Sequence, residues 1–484
     1  MRKILFFLGL CISLYIFGQE NLLDTSYGTN NGFTSHTFYS PSGQPAGGFQ
    51  IHATVKLADG KILAIGPSFF VRFTANGVLD TSFQGMGYKY FYPDRAYDKI
   101  EPANDGNYIV MSAGGLLEKI DADGNPVSSF TTLSQLTTFV DFFVDPSGKT
   151  YLLRRSNYNY TIIRLLPNGA QDMTFGTNGQ IALGSTYRYT RIKVNADNEI
   201  FIGGKHEIFV NNRKILMTKL DSNGNIDPSF GTGGHFMYQG GEYVGDATYF
   251  EFLDDGKILG FTSGSLCYGN NCFGLIMYRL LPNGTLDTSF KNTGIATMPI
   301  QSNSTPSKLQ RLEDNTFMLS GTGIRTFYAL KMDSDGNLDP SFGLNGKLIT
   351  PVFGTVDGTP VYNQGFEIYG NSLVFIGIYG IWYNWQQRYI GTLRKYFFNT
   401  GSLAVKETEH QKMRIYPNPV KETLYIQSGE IVLGYEIYDM SGKKIDRKNQ
   451  IFIHSVDVSD LNAGVYLLKL QTGKGTVTSR FLKK

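Results

Sequence analysis

Short apolar runs separated by glycine-bearing turns recur along most of the chain. Ile62-Leu63-Ala64-Ile65, Tyr108-Ile109-Val110-Met111 and Ile200-Phe201-Ile202 are apolar at successive positions, so both faces of each strand are expected to be covered. Leu116 to Asp121 alternates instead, as a strand nearer a rim does. No stretch keeps a helical period, and Gly recurs too often to permit one. Two turn signals punctuate each unit. The first is Asp59-Gly60, Asp105-Gly106, Ser147-Gly148, Asp197-Asn198, Asp255-Gly256, Asp314-Asn315 and Gly370-Asn371. The second is Asn76-Gly77, Asp123-Gly124, Asn168-Gly169, Asn223-Gly224, Asn283-Gly284, Asp335-Gly336 and a degenerate Asn399-Thr400-Gly401. Such dipeptides accept the positive φ of two-residue hairpin turns, so each unit reads as a meander of about four strands.

After the second turn comes a phrase, fullest at Leu281 to Phe290 as L-P-N-G-T-L-D-T-S-F, whose seven copies close on Tyr27, Phe83, Phe130, Phe175, Phe230, Phe290 and Phe342. A period of roughly fifty residues points to a repeat array or propeller. The Asp carboxylate and Thr/Ser hydroxyls can fix a turn through backbone N–H groups, and the aromatic residue is expected to anchor between blades. The copy at Val127 to Phe130 lacks the Asp and keeps the aromatic, which fits a structural role. The first copy, Asp24 to Tyr27, precedes every turn, while the last turn signal has no phrase after it. The N-terminal segment is therefore expected to complete the final blade. The fold class read here is all-β: a seven-bladed β-propeller, with six or eight blades as alternatives, followed by a small β-sandwich.

These units resemble the delta-60 repeat family, best at Asp59-Gly60-Lys61-Ile62-Leu63, Asp255-Gly256-Lys257-Ile258-Leu259 and Leu338-Asp339-Pro340-Ser341-Phe342-Gly343. The resemblance spans residues 21–404. It implies a propeller-like fold in secreted bacterial proteins, and it brings no catalytic residues.

The ends of the chain supply the route. Arg2 and Lys3 followed by an apolar run from Ile4 to Phe17 read as a signal peptide over residues 1–18, too short for a membrane span. Cleavage is expected after Gly18, and no transmembrane segment is expected in the mature chain. Residues 19–404 are assigned to the propeller, and the polar stretch 405–412 to a linker. In residues 413–484 the texture changes, with Ile415-Tyr416-Pro417-Asn418-Pro419, Asp439-Met440-Ser441-Gly442-Lys443, the strand Gly464 to Leu470 and a terminal Arg480-Phe481-Leu482-Lys483-Lys484. This module resembles the type A C-terminal sorting domain of the type IX secretion system. The resemblance implies passage through the periplasm and an outer-membrane translocon to the outer cell surface or the medium. It further implies removal of the module by the system's sortase, with release or attachment to surface lipopolysaccharide.

Composition narrows the rest. Charged residues make up 18% of the chain and the net charge is +3, with no Lys/Arg cluster, which argues against nucleic acid. Cys267 and Cys272, in C-Y-G-N-N-C, suit a disulfide across a hairpin end or two free thiols. Asp121-x-Asp123-Gly124 and its relatives look like pieces of a calcium loop, but the remaining ligands are missing and a turn accounts for them. Trp382 and Trp385, the only two tryptophans, sit with Tyr383 in the last unit, where they could stack on sugar rings or pack the strands. No nucleophile elbow, zinc motif or phosphate loop is present, so no catalytic, cofactor or metal residues are assigned. Two functions follow: a non-catalytic binding or adhesion module for a glycan or surface protein, or an extracellular polysaccharide-acting enzyme with carboxylates at the propeller channel.

Overall fold

The computed structural model describes residues 22–29, 32–35, 50–67, 69–91, 95–135, 137–209, 212–239, 244–264, 274–298, 300, 304–323, 326–351, 361–383, 386–398, 414–427, 432–439, 443–449, 454–472 and 475–484. The chain divides into two compact units, Met1–Gly401 and Ser402–Lys484.

In the first unit the described residues form seven four-stranded antiparallel sheets. The first runs in chain order through Ala53–Lys56, Ile62–Ile65, Phe69–Phe73 and Tyr88–Tyr90, and the next five repeat that meander as far as Pro351. The innermost strands are Ala53–Lys56, Tyr97–Pro102, Thr138–Val144, Arg188–Val194, Val244–Phe252, Thr305–Arg311 and Val361–Tyr369. Each lies against the innermost strand of the next sheet, and the last against the first, so the sheets form a closed ring. This is a β-propeller. The second strands are sandwiched between neighbouring sheets, and Ile62–Ile65 and Tyr108–Ser112 are buried at every position.

The seventh sheet draws on both ends of the unit. Phe33–Ser35 pairs with Gln386–Phe397, which pairs with Ser372–Tyr383 and then Val361–Tyr369. Leu23 bridges Tyr396, and the Asp24 N–H donates to the Lys395 carbonyl at 2.8 Å. The first phrase copy thus belongs to the last sheet.

Two expectations need correction. The D-G signals are not two-residue hairpins in the first six sheets. In the first, Lys56 pairs with Ile62 and Gly60 N–H closes a turn on the Leu57 carbonyl at 2.9 Å, with Gly60 at φ 81°. Asp-Gly here ends a longer turn whose last residue must be left-handed, and of the seven first-turn signals only Gly370-Asn371 is a two-residue loop. Leu116 to Ile120 does lie nearer the rim than Tyr108–Ser112, but it does not expose alternate residues. It is third of four, and Glu118 and Lys119 are buried with the apolar positions. Arg95 Nη1 approaches Glu118 at 3.1 Å, and Lys119 Nζ meets Asp105 at 2.7 Å, so the charges are neutralised where the alternation put them.

The phrase forms the joint between sheets. In six copies the Asp Oδ1 accepts the backbone N–H and hydroxyl of the residue two positions on, as Asp80 does from Ser82 at 3.2 and 2.6 Å and Asp287 from Ser289 at 3.1 and 2.6 Å. A cation eight residues earlier takes the other oxygen: Arg72–Asp80 at 2.7 Å, Arg164–Asp172 at 2.9 Å, Lys219–Asp227 at 3.0 Å, Arg279–Asp287 at 2.8 Å and Lys331–Asp339 at 2.9 Å. Lys395 serves Asp24 at 3.4 Å across the chain ends. The closing aromatic ring then packs under the second turn of the next sheet. A Cβ on Gly77 would overlap the Tyr27 ring, and one on Gly284 would sit 2.8 Å from Phe230. Gly124, Gly169 and Gly336 stand likewise over Phe83, Phe130 and Phe290, while a Cβ on Gly224 would strike Ile181 first and meet Phe175 at 3.5 Å. The glycine is needed twice, for its positive φ and for the close approach of the ring. Burying each ring contributes about 1.5–3 kcal/mol.

The second unit packs two sheets around one core. Arg414–Tyr416, Thr423–Gln427 and Ser455–Asp457 form the smaller; Lys444–Asn449, Val432–Asp439, Gly464–Thr472 and Gly475–Lys483 form the larger, in those orders. Val420, Leu424, Ile437, Val456, Leu468, Leu470 and Phe481 fill the space between, as in a β-sandwich. Asn418 ties the opening segment to the last strand, donating to the Arg480 carbonyl at 3.0 Å and accepting from the Leu482 N–H at 2.9 Å.

Candidate functional site

The innermost strands enclose a cavity of about 1050 Å³ along the ring axis. Most of these strands carry a bulge near their start, and the residue after it faces the cavity: Lys99, Asp141, Arg191, Lys308 and Gly365. At four of these five places the bulge turns a charged side chain inward, and the apolar residue that follows is buried in all five, as Ile100, Phe142, Ile192, Leu309 or Phe366.

The polar groups around the cavity tie neighbouring sheets together. His52 Nδ1 meets Asp98 Oδ1 at 2.9 Å, and Asp98 Oδ2 accepts the Ala113 N–H at 2.7 Å. Lys99 Nζ reaches Asp141 Oδ1 at 2.7 Å and the Phe142 carbonyl at 2.6 Å. Asp141 Oδ2 accepts the Ile192 N–H at 2.9 Å, and Arg191 Nη1 stands 3.4 Å from Oδ1. Lys193 bonds Glu251, and Arg311 bonds Asp254 at 2.5 Å. Lys308 Nζ reaches the Phe366 carbonyl at 2.7 Å and Glu367 at 3.3 Å. Thr54 Oγ1 donates to Glu367 at 2.8 Å, and Lys56 Nζ to the Ile368 carbonyl at 2.7 Å. Every pair of adjacent sheets, last to first included, has such a tie.

Asp141 is the most enclosed of these acids. Burial pushes its carboxyl up, but Lys99, Arg191 and the Ile192 N–H outweigh it and hold the group below the ordinary carboxylate range. The Arg191 guanidinium lies over the Tyr249 ring, 4.4 Å from its centroid, so that ring is covered by a cation. A carboxylic acid suited to protonating a leaving group would need the opposite shift. The cavity instead offers ammonium, guanidinium and ionised carboxylate groups in fixed places, a surface for hydrogen bonding to a polar ligand.

The residues singled out in the sequence fall elsewhere. Trp382 and Tyr383 end the long strand Ser372–Tyr383, in backbone register with Gln387 and Gln386. Trp385, Cys267 and Cys272 lie outside the described residues, as do the signal and linker segments. Asp121 Oδ1 accepts the N–H groups of Asp123 and Asn125 at 2.9 and 2.8 Å, so its carboxylate serves a turn. Sequence reasoning missed the channel ties. Their trace is a charged residue within the inner strands: Lys99 and Lys308, Asp141, and Arg191.

Residues 414–484 match the family described as secretion system C-terminal sorting domain, and residues 57–83 and 253–290 match the domain of unknown function (DUF5122) beta-propeller. No curated protein matches the chain in sequence. Among solved structures the chain is similar to virginiamycin B lyase from Staphylococcus aureus, at 12% identity and a TM-score of 0.44 over 75% of this chain and 99% of that one. It is similar also to the polysaccharide lyase Uly1, at 9% identity and 0.42 over 77% and 93%, and to the Nup133 beta-propeller domain of Vanderwaltozyma polyspora, at 10% and 0.39 over 76% and 99%. No helix among the described residues is long and apolar enough to cross a membrane. The chain is a β-propeller protein with a C-terminal sorting domain of the type IX secretion system, exported to the cell surface or the medium.

Proposed function

We propose that the propeller is a non-catalytic binding module which, once outside the cell, holds a polar ligand such as a glycan or a surface protein at its channel. The observation that supports this reading is the fate of the channel carboxylates. Asp141, Glu251 and Glu367 each bond a cation or a backbone N–H across a sheet boundary, Asp98 bonds the His52 imidazole across one, and Asp141 is held ionised. Acids committed to closing the ring are poor candidates for proton transfer. Trp382, Tyr383 and Trp385 belong to the same reading as candidates for stacking on sugar rings. Residues 1–18 act as the signal peptide, 19–404 as the binding unit, 405–412 as the linker and 413–484 as the export signal, which the sortase removes. Cys267 and Cys272 pair once the chain is in an oxidising compartment.

The test is a glycan array probed with the purified protein, followed by chromatography of each bound glycan after prolonged incubation. Saturable binding with the glycan recovered intact supports the module. Chain shortening, or unsaturated ends in the products, would establish the polysaccharide-acting enzyme instead.

A further inference from the structure

The sorting domain carries more exposed apolar surface than its size explains. Thirteen large hydrophobic side chains are exposed among the described residues, and six of them, Tyr416, Tyr425, Leu433, Ile445, Val465 and Leu482, fall within the 71 residues 414–484. Val465 and Leu482 are opposite in register on the larger sheet, and two others of the six stand out as a stacked aromatic pair. Tyr416 and Tyr425 are directly opposite in register on the smaller sheet, with ring centroids 5.8 Å apart and planes 28° apart. Each is half exposed, at 51% and 49%, while their strand neighbours Leu424 and Ile426 point into the core. The pair is therefore a stacked aromatic surface on the outer face of the sandwich, and packing inside the module does not account for it. The segment after Tyr416 is held by Asn418 against the last strand, so the platform has a fixed base.

Charge narrows the occupant. Residues 414–484 hold 11 Lys and Arg against 7 Asp and Glu, a surplus of four, whereas the whole chain nets +3 and the remainder therefore −1. A partner matched to this domain presents an apolar recess for two rings with an acidic rim. We propose that the Tyr416–Tyr425 pair is the docking surface by which the sorting domain is recognised, and that its occupant is an acidic, apolar-lined site on a protein of the secretion machinery. The proposal rests on the sorting-domain assignment and is independent of what the propeller binds.

The test is export of the full-length protein from the producing bacterium, measured as the fraction found outside the cells. Tyr416→Ser with Tyr425→Ser is expected to lower that fraction at least tenfold, while Tyr416→Phe with Tyr425→Phe keeps export within twofold of the parent. Tyr425→Glu is expected to impair export more than Tyr425→Lys, because the partner is acidic. The parent and each variant are also melted and sedimented as purified full-length protein, where unchanged curves support a recognition role. Export of the double Ser variant within twofold of the parent would overturn the proposal, as would equal loss in the Phe variant. A lowered melting temperature in the Ser variant would show instead that the rings are covered by the protein's own chain. A changed sedimentation coefficient would show that they are covered by a second copy.

Discussion

Two rings of charge run around this propeller, and they are built differently. At the joints between sheets, one arrangement repeats: an Asp that caps its own turn, a cation eight residues earlier, and an aromatic ring under the neighbour's glycine. Along the channel the ties join the same pairs of sheets, but the residues change from strand to strand. Lys99, Asp141, Arg191, Lys308 and Gly365 occupy equivalent places after the bulge. Repetition is what a purely mechanical task allows, since every joint has the same geometry to satisfy. The channel wall keeps the mechanical link while its chemistry varies, and the binding proposal rests on that variation.

The comparison predicts that the joints are costly to break and the channel ties are not. Phe290→Ala should destabilise the propeller by about 3–5 kcal/mol, because the ring is fully buried between two sheets. Arg279→Met should cost about 3 kcal/mol, since it leaves the buried Asp287 carboxylate without its nearest cation. Gly284→Ala should cost about 1–3 kcal/mol, from an added Cβ pressed on the Phe230 ring at a residue with φ of 78°. Lys193→Ala, by contrast, should change stability by about 1 kcal/mol or less, because that pair is partly hydrated. Denaturant unfolding of the four variants would check the order. Equal costs at joint and channel would break the distinction.

Acid should act chiefly through the joints. Burial pushes Asp80, Asp172, Asp287 and Asp339 up, but their hydroxyl and cation bonds outweigh it and hold all four below the ordinary range. A carboxyl whose folded value is depressed stabilises the fold above its unfolded value of about 4, and that stability is lost as pH falls through the folded value. Melting temperature should therefore hold steady from neutrality to about pH 5 and drop below about pH 4. Asp287→Asn should shrink the drop, and an undiminished drop in that variant would count against the joint as its source.

The joint was legible in the sequence because it repeats. Seven aromatic anchors, the Asp and the Asn-Gly or Asp-Gly turns recur in a fixed order, and the copy at Val127 shows which parts are dispensable. The cation of the joint was legible in principle: Arg72, Lys119, Arg164, Lys219, Arg279 and Lys331 stand one strand before the phrase. It was missed because a lone basic residue in a strand looks like a solvated face. Lys119 shows the logic, since its copy lacks the Asp and it turns to Asp105 instead. The turn length was misread because Asp-Gly serves both a two-residue hairpin and the left-handed end of a longer turn. The channel ties could not be read at all. They join residues 42 to 313 positions apart, and the residue after the bulge follows no fixed type from sheet to sheet.

The account's central claim is that the channel binds without turnover, and one titration tests it most directly. Calorimetry of the full-length protein with a glycan retained on the array should give saturable binding that Lys193→Ala and Arg191→Gln weaken at least tenfold, with the glycan recovered unchanged. Binding that is indifferent to both substitutions, or recovery of a cleaved glycan, would contradict the claim.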